Sequence, residues 1–118
     1  MVAKVAAAAE AKSNDFVLIA RTDARGIEGL DAAIERGNAY RDAGADMIFP
    51  EGLASEDEFA EFASRCPGLL FANMTEFGKT PIIPVSRFCE LGYDIVIFPV
   101  TTQRIAMRAV TDALATIK

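Results

Sequence analysis

Short apolar runs and longer stretches with helical spacing alternate along the chain. Val2, Val5, Ala6 and Ala9 fall at i, i+3, i+4 and i+7, one face of a helix from Met1 to about Lys12. Ser13-Asn14-Asp15 ends that pattern, and Phe16 to Ala20 runs apolar without alternation, as a strand buried on both faces would. Leu30, Ala33, Ile34 and Gly37 stripe a second helix between Gly26 and Gly44, with Gly44 as its stop. Ala45 to Pro50 reads as a short strand ending in Glu51. Ser55-Glu56-Asp57-Glu58 has the form of a capping box, with acids at the positive end of a third helix. That helix lines up Phe59, Phe62, Ala63 and Cys66, and Pro67-Gly68 closes it. Leu69 to Ala72 is a third strand. A helix from about Pro84 to Gly92 turns Val85, Phe88 and Cys89 inward, and Asp94 to Phe98 is a fourth strand. Ala106, Ala109, Val110, Ala113 and Ile117 mark a last helix.

The order is therefore one helix followed by four strand–helix units, which predicts a parallel sheet with right-handed crossovers. A faint internal echo links Gly44-Ala45-Asp46 and Ile48-Phe49-Pro50 to Gly92-Tyr93-Asp94 and Ile97-Phe98-Pro99. At 118 residues the chain holds one domain at most. With 52% apolar and 25% charged residues, disorder is excluded. A net charge of −5 argues against a nucleic-acid partner, because phosphate binding needs clustered Lys and Arg. No apolar run approaches the ~20 residues of a membrane span, and Glu10 interrupts the alanine tract before it resembles a signal peptide. Two cysteines give no disulfide framework, which suits a reducing cytoplasm. Histidine is absent altogether, which removes the commonest general base, the Ser-His and Cys-His pairs, and any His-based metal site. Chemistry must come from carboxylates, Arg, Lys, amides and hydroxyls.

Such groups recur where the apolar runs stop. Arg21, Thr22 and Asp23 follow the first strand, Glu51 the second, Asn73 and Thr75 the third, and Thr101 and Thr102 the fourth. Any one alone reads as a solvated loop residue. Four sets at the same end of consecutive parallel strands read as a site, because the carboxyl ends of strands build it in barrels and open sheets alike. Arg21, directly after five apolar residues, is expected to be partly buried and so to need a carboxylate, from Asp23, Glu51 or a ligand. Glu51 could orient water or a metal-bound ligand, or answer Arg21. Cys66 and Cys89 fall on core stripes and read as small apolar residues. Lys79 in Gly78-Lys79-Thr80 lacks the upstream glycine of a phosphate loop.

Ile19-Ala20-Arg21-Thr22-Asp23-Ala24, Ile48-Phe49-Pro50-Glu51 and Ala72-Asn73-Met74-Thr75-Glu76-Phe77-Gly78, in that order, closely resemble the isocitrate lyase and phosphoenolpyruvate mutase superfamily, nearest its 2-methylisocitrate lyase branch. Gly29 to Arg36 and Phe98-Pro99-Val100-Thr101 extend the likeness over essentially the whole chain. The resemblance implies a (β/α)8 barrel of which these four β-α units look like strands five to eight, a half-barrel. Residues 1–118 would then be a single partial domain, the C-terminal half of a lyase. It also implies Mg2+-dependent cleavage of methylisocitrate to pyruvate and succinate. Arg21 would bind a substrate carboxylate, Asn73 and Thr75 the carboxylate of the succinate half, and Glu51 would organise the hydroxyl end and metal-bound water. The family's Lys-Lys/Arg-Cys-Gly-His loop and its magnesium aspartates have no counterpart here, so no catalytic residue and no metal ligand is expected in this chain. A barrel needs about 200 residues or more. The expectation is a segment with a small di- or tricarboxylate substrate, no membrane or nucleic-acid partner and little turnover of its own. It would self-associate or pair with an N-terminal half. Phosphoenolpyruvate mutation or oxaloacetate cleavage, and a non-catalytic binding or assembly module, are the alternative readings.

Overall fold

The computed structural model describes residues 1–118. Helix α1 (Val2–Ala11) leads into strand β1 (Ile19–Thr22), and the chain continues through α2 (Arg25–Glu28), α3 (Leu30–Asp42) and β2 (Met47–Pro50). Then come α4 (Glu56–Arg65), β3 (Leu69–Asn73), α5 (Val85–Leu91), β4 (Ile95–Ile97) and α6 (Thr101–Ile117). The four strands form one parallel sheet in the order β1-β2-β3-β4. No helix is long and apolar enough to cross a membrane.

Side chains alternate across a sheet, and here one face is covered far more fully than the other, where Met47 alone is buried. Ala20, Thr22, Ile48, Leu70 and Ala72 are buried on the helical side. Ile19, Leu69, Ile95 and Ile97 remain between 36% and 45% exposed on the other. The expected two-sided burial of Phe16 to Ala20 is therefore not found. The strand starts at Ile19, and Phe16 and Val17, which precede it, stay exposed.

The core sits between the sheet and α3, α4 and α5. The single helix expected from Gly26 to Gly44 is broken at Gly29, whose φ of 93° ends α2 before α3 begins. On α3, Gly37 faces Phe62 and Cys66 so closely that an added Cβ would stand 3.0 Å from each. On α4, the Ser55 hydroxyl accepts from the Glu58 N–H at 3.2 Å, half of the expected capping box. The Glu58 carboxylate completes the end differently, accepting from the Ala54 N–H and from Arg25. Phe59, Phe88 and Tyr93 meet edge to face at 5.0–5.4 Å, and all three are buried.

Two stripes do not pack as expected. On α5 only Phe88 is buried; Val85 and Cys89 are exposed, since two turns of helix bring one stripe residue over the core. On α6 no residue is buried, and its apolar stripe meets solvent. The molecule is correspondingly long, 57 × 33 × 27 Å.

The sequence echo has a structural cause. Asp46 accepts from the Leu18 N–H through its carboxylate at 2.7 Å and returns its own N–H to the Leu18 carbonyl at 2.9 Å. Asp94 does the same to Leu70, at 2.8 and 3.0 Å. Each aspartate thus ties the start of its strand to the start of the neighbouring one.

Candidate substrate cleft

At the opposite end, where the strands finish, a cleft of about 300 Å3 opens between the loops after β1, β2 and β3. Asp23, Gly26, Glu51, Gly52, Asn73, Thr75, Gly78, Lys79 and Thr80 line it, none of them hydrophobic. The sheet register explains the meeting. Thr22 stands beside Pro50, the Glu51 N–H donates to the Thr22 carbonyl at 2.9 Å, and Asn73 closes β3 one strand further on.

A row of polar contacts crosses these strand ends. Asp23 accepts from Arg21 Nη2 at 2.6 Å and from Nε at 3.1 Å. Arg21 Nη1 lies 3.4 Å from Glu51 Oε2, and that same oxygen accepts from Asn73 Nδ2 at 3.3 Å. Asn73 Oδ1 is buried and has no hydrogen-bond partner. The hydrogen bond to Asp23 raises the Arg21 pKa, and Arg21 in turn holds the Asp23 carboxyl below its ordinary value. Arg21, expected to be partly buried, is half in water. Its side chain lies over the Phe49 ring at 5.2 Å on the less covered sheet face.

The loop after β3 is pinned on both sides. Gly78 N–H donates to the Thr75 carbonyl at 3.3 Å, closing a turn in which Phe77 takes a φ of 65°. A Cβ on Gly78 would sit 3.0 Å from Thr75 Cγ2. The Thr80 hydroxyl donates to the Leu53 carbonyl, and Glu76 pairs with Arg104 of α6.

The donor set does not fit a magnesium cage. Nowhere do three His, Cys, Asp or Glu side chains come together, and both acids of the cleft are already directed at the Arg21 guanidinium. Mg2+ demands near-octahedral oxygen ligation. Neither cysteine reaches the cleft. Cys66 is fully buried, with its thiol pKa pushed up by burial, and Cys89 lies exposed on α5.

Of the residues singled out in the sequence, Asp23, Glu51, Asn73 and Thr75 share the cleft, and Arg21 bonds two of its walls without lining it. Thr101 and Thr102 open α6 elsewhere; Thr101 borders a separate groove with Phe77 and Arg104. Lys79 and Thr80, set aside in the sequence, are part of the lining. Their signal was position alone, a polar loop directly after a strand.

Known proteins match both sequence and fold. A model of the phosphoenolpyruvate phosphomutase family matches residues 1–118. The probable 2-methylisocitrate lyase 1 of Corynebacterium glutamicum is 58% identical over all of this chain and 39% of that protein. The 2-methylisocitrate lyase of Aeropyrum pernix is 58% identical over 92% of this chain and 35% of its own length. A crystal structure of 2,3-dimethylmalate lyase superposes with a TM-score of 0.91 at 35% identity, over 98% of this chain and 42% of that one. Oxaloacetate acetylhydrolase in complex with its product oxalate gives 0.89 at 36% identity, over 97% of this chain and 41% of that one. The chain thus spans about two fifths of the length of these relatives.

Proposed function

The chain belongs to the phosphoenolpyruvate phosphomutase family, and from that premise we propose that it carries substrate-holding residues of a carbon–carbon lyase acting on 2-methylisocitrate. The observation that carries this reading is the Glu51–Asn73 hydrogen bond at the rim of a cleft that no hydrophobic residue lines. Cleavage of methylisocitrate to pyruvate and succinate builds negative charge on the succinate fragment. Donors fixed in advance stabilise such charge far better than mobile ones. Asn73 Nδ2, oriented by Glu51, and the Thr75 hydroxyl are those donors. Glu51 accepts from the substrate hydroxyl, and the Arg21 guanidinium, 3.4 Å from Glu51 Oε2, helps hold that carboxylate at the strand ends. A substrate carboxylate reaches Arg21 by displacing Asp23, the more exposed of its two partners.

Mg2+, which the likeness to 2-methylisocitrate lyases implies, finds no cage among these side chains. Neither cysteine is placed to protonate a leaving fragment, since both lie outside the cleft, and the chain has no histidine to take that role. The isolated chain is therefore expected to bind succinate without turning over methylisocitrate. Titration with succinate, followed by amide NMR, should move Gly52, Asn73 and Thr75, and Asn73→Ala should abolish the movement. Unmoved cleft amides would refute the reading, and robust Mg2+-dependent turnover by the pure chain would refute the division of labour.

Similarity to oxaloacetate acetylhydrolase favours a second reading, in which an oxo acid occupies the same cleft. Oxalate binding in preference to succinate would select it. Binding with self-association and no catalytic part in any assembly would instead mark a non-catalytic module built on the open edges of β1 and β4.

A further inference from the structure

Lys79 is the one cation among the residues lining the cleft, and no carboxylate of the molecule lies within ion-pair distance of it. Its backbone is fixed while its side chain is free. The turn closed by Gly78 and Thr75 holds it on one side, and the Thr80 hydroxyl fastened to the Leu53 carbonyl holds it on the other. The second cation of the region is not free in the same sense. Arg21 is shared by Asp23 and Glu51, so the three together carry one net negative charge toward any anion that enters. A ligand with a single carboxylate satisfied by Asn73 and Thr75 therefore gains nothing further from Arg21 without displacing Asp23. A ligand with a second carboxylate has one uncommitted partner, the ammonium of Lys79. A compact, rotatable charge on a four-carbon stem suits that task at an open rim.

We propose that Lys79 is a specificity-determining residue that receives the second carboxylate of the ligand, so that the cleft selects dianionic over monoanionic acids. The proposal rests on the reading that Asn73 and Thr75 hold the first carboxylate. Lys79 was left aside in the sequence because it forms no phosphate loop; its role follows from the Thr80 anchor, a contact 27 residues away in sequence.

Succinate and butyrate, equal in length and differing by one carboxylate, test it on the chain itself. Wild type should bind succinate about fivefold tighter than butyrate, the yield of one partly exposed ion pair, and the margin should shrink as salt rises. Lys79→Ala should remove the margin by weakening succinate while leaving butyrate unchanged, and Lys79→Arg should restore most of it. Lys79 is exposed on its loop, so these variants fold as the parent does. An unchanged succinate-to-butyrate ratio in Lys79→Ala, with both ligands lost in Asn73→Ala, overturns the role of Lys79 and leaves the carboxylate site standing. Failure of wild type to bind either acid overturns both.

Discussion

The Arg21 guanidinium directs two nitrogens at Asp23 and a third toward Glu51, with half of its side chain in water. Ion pairs so exposed contribute little to folding, typically below about 1 kcal/mol. Arg21→Ala should therefore leave the urea midpoint almost unchanged while weakening succinate binding severalfold, because Glu51 loses its orienting charge. Equal losses in stability and binding would mean that the side chain is a structural brace. Arg21, Glu51, Asn73 and Thr75 could be picked out in the sequence because each stands where an apolar run stops, and strand ends gather at one rim. The exposure of Arg21 could not, since it depends on what covers the second face of the sheet. Lys79 escaped for a related reason: the hydrogen bond from its neighbour Thr80 to the Leu53 carbonyl fixes its loop, and no local pattern encodes that contact.

Elements were readable where their signals were local. The Ser55 cap, the stops at Gly44 and Gly92, and the Phe59–Phe62–Cys66 stripe all formed as their residue types dictate. The break at Gly29 and the late start of β1 are set by packing partners. At Gly44 the two kinds of constraint meet. Its φ is 100°, and an added Cβ would lie 2.6 Å from the Ala9 Cβ of α1. Gly44→Ala should cost about 1–3 kcal/mol, read as a lowered urea midpoint. Adding Ala9→Gly should recover the clash but not the backbone strain, and no recovery at all would place α1 away from this turn. The Asp46 staple gives a pH dependence. Lys12 first, and then the Leu18 N–H, hold the Asp46 carboxyl below its ordinary 3.8. The folded chain therefore binds that proton less readily than the unfolded chain. The resulting stability is fully present above the ordinary value and lost as pH falls through the depressed one. Asp46→Asn should flatten the acid limb of a stability–pH curve. A limb of unchanged slope would remove Asp46 from the account.

The whole molecule exposes 7292 Å2 at a mass of 12.7 kDa. A compact monomer of that mass exposes about 6,200 Å2, so roughly 1,000 Å2 is in excess. That is close to one side of a standard protein interface, about 800 Å2 per partner. Much of the excess is traceable to the less covered sheet face and to α6, whose Ile105, Val110, Leu114 and Ile117 all meet solvent. The chain should therefore associate with increasing concentration in sedimentation velocity, and a monomer throughout would show these surfaces to be tolerated bare. The α6 stripe was legible as amphipathic, but its burial was not, because periodicity records that a face is apolar and not what lies against it.

The strand order β1-β2-β3-β4 follows the order of the chain, with no strand inserted between two earlier ones. The sheet is in that sense an unthreaded row with two free ends. Further β-α units can be appended at either end, on the same polypeptide or on another, without passing any segment through what is already formed. Reconstitution from separately made pieces is therefore topologically open to this architecture, and the joint can fall between any two units.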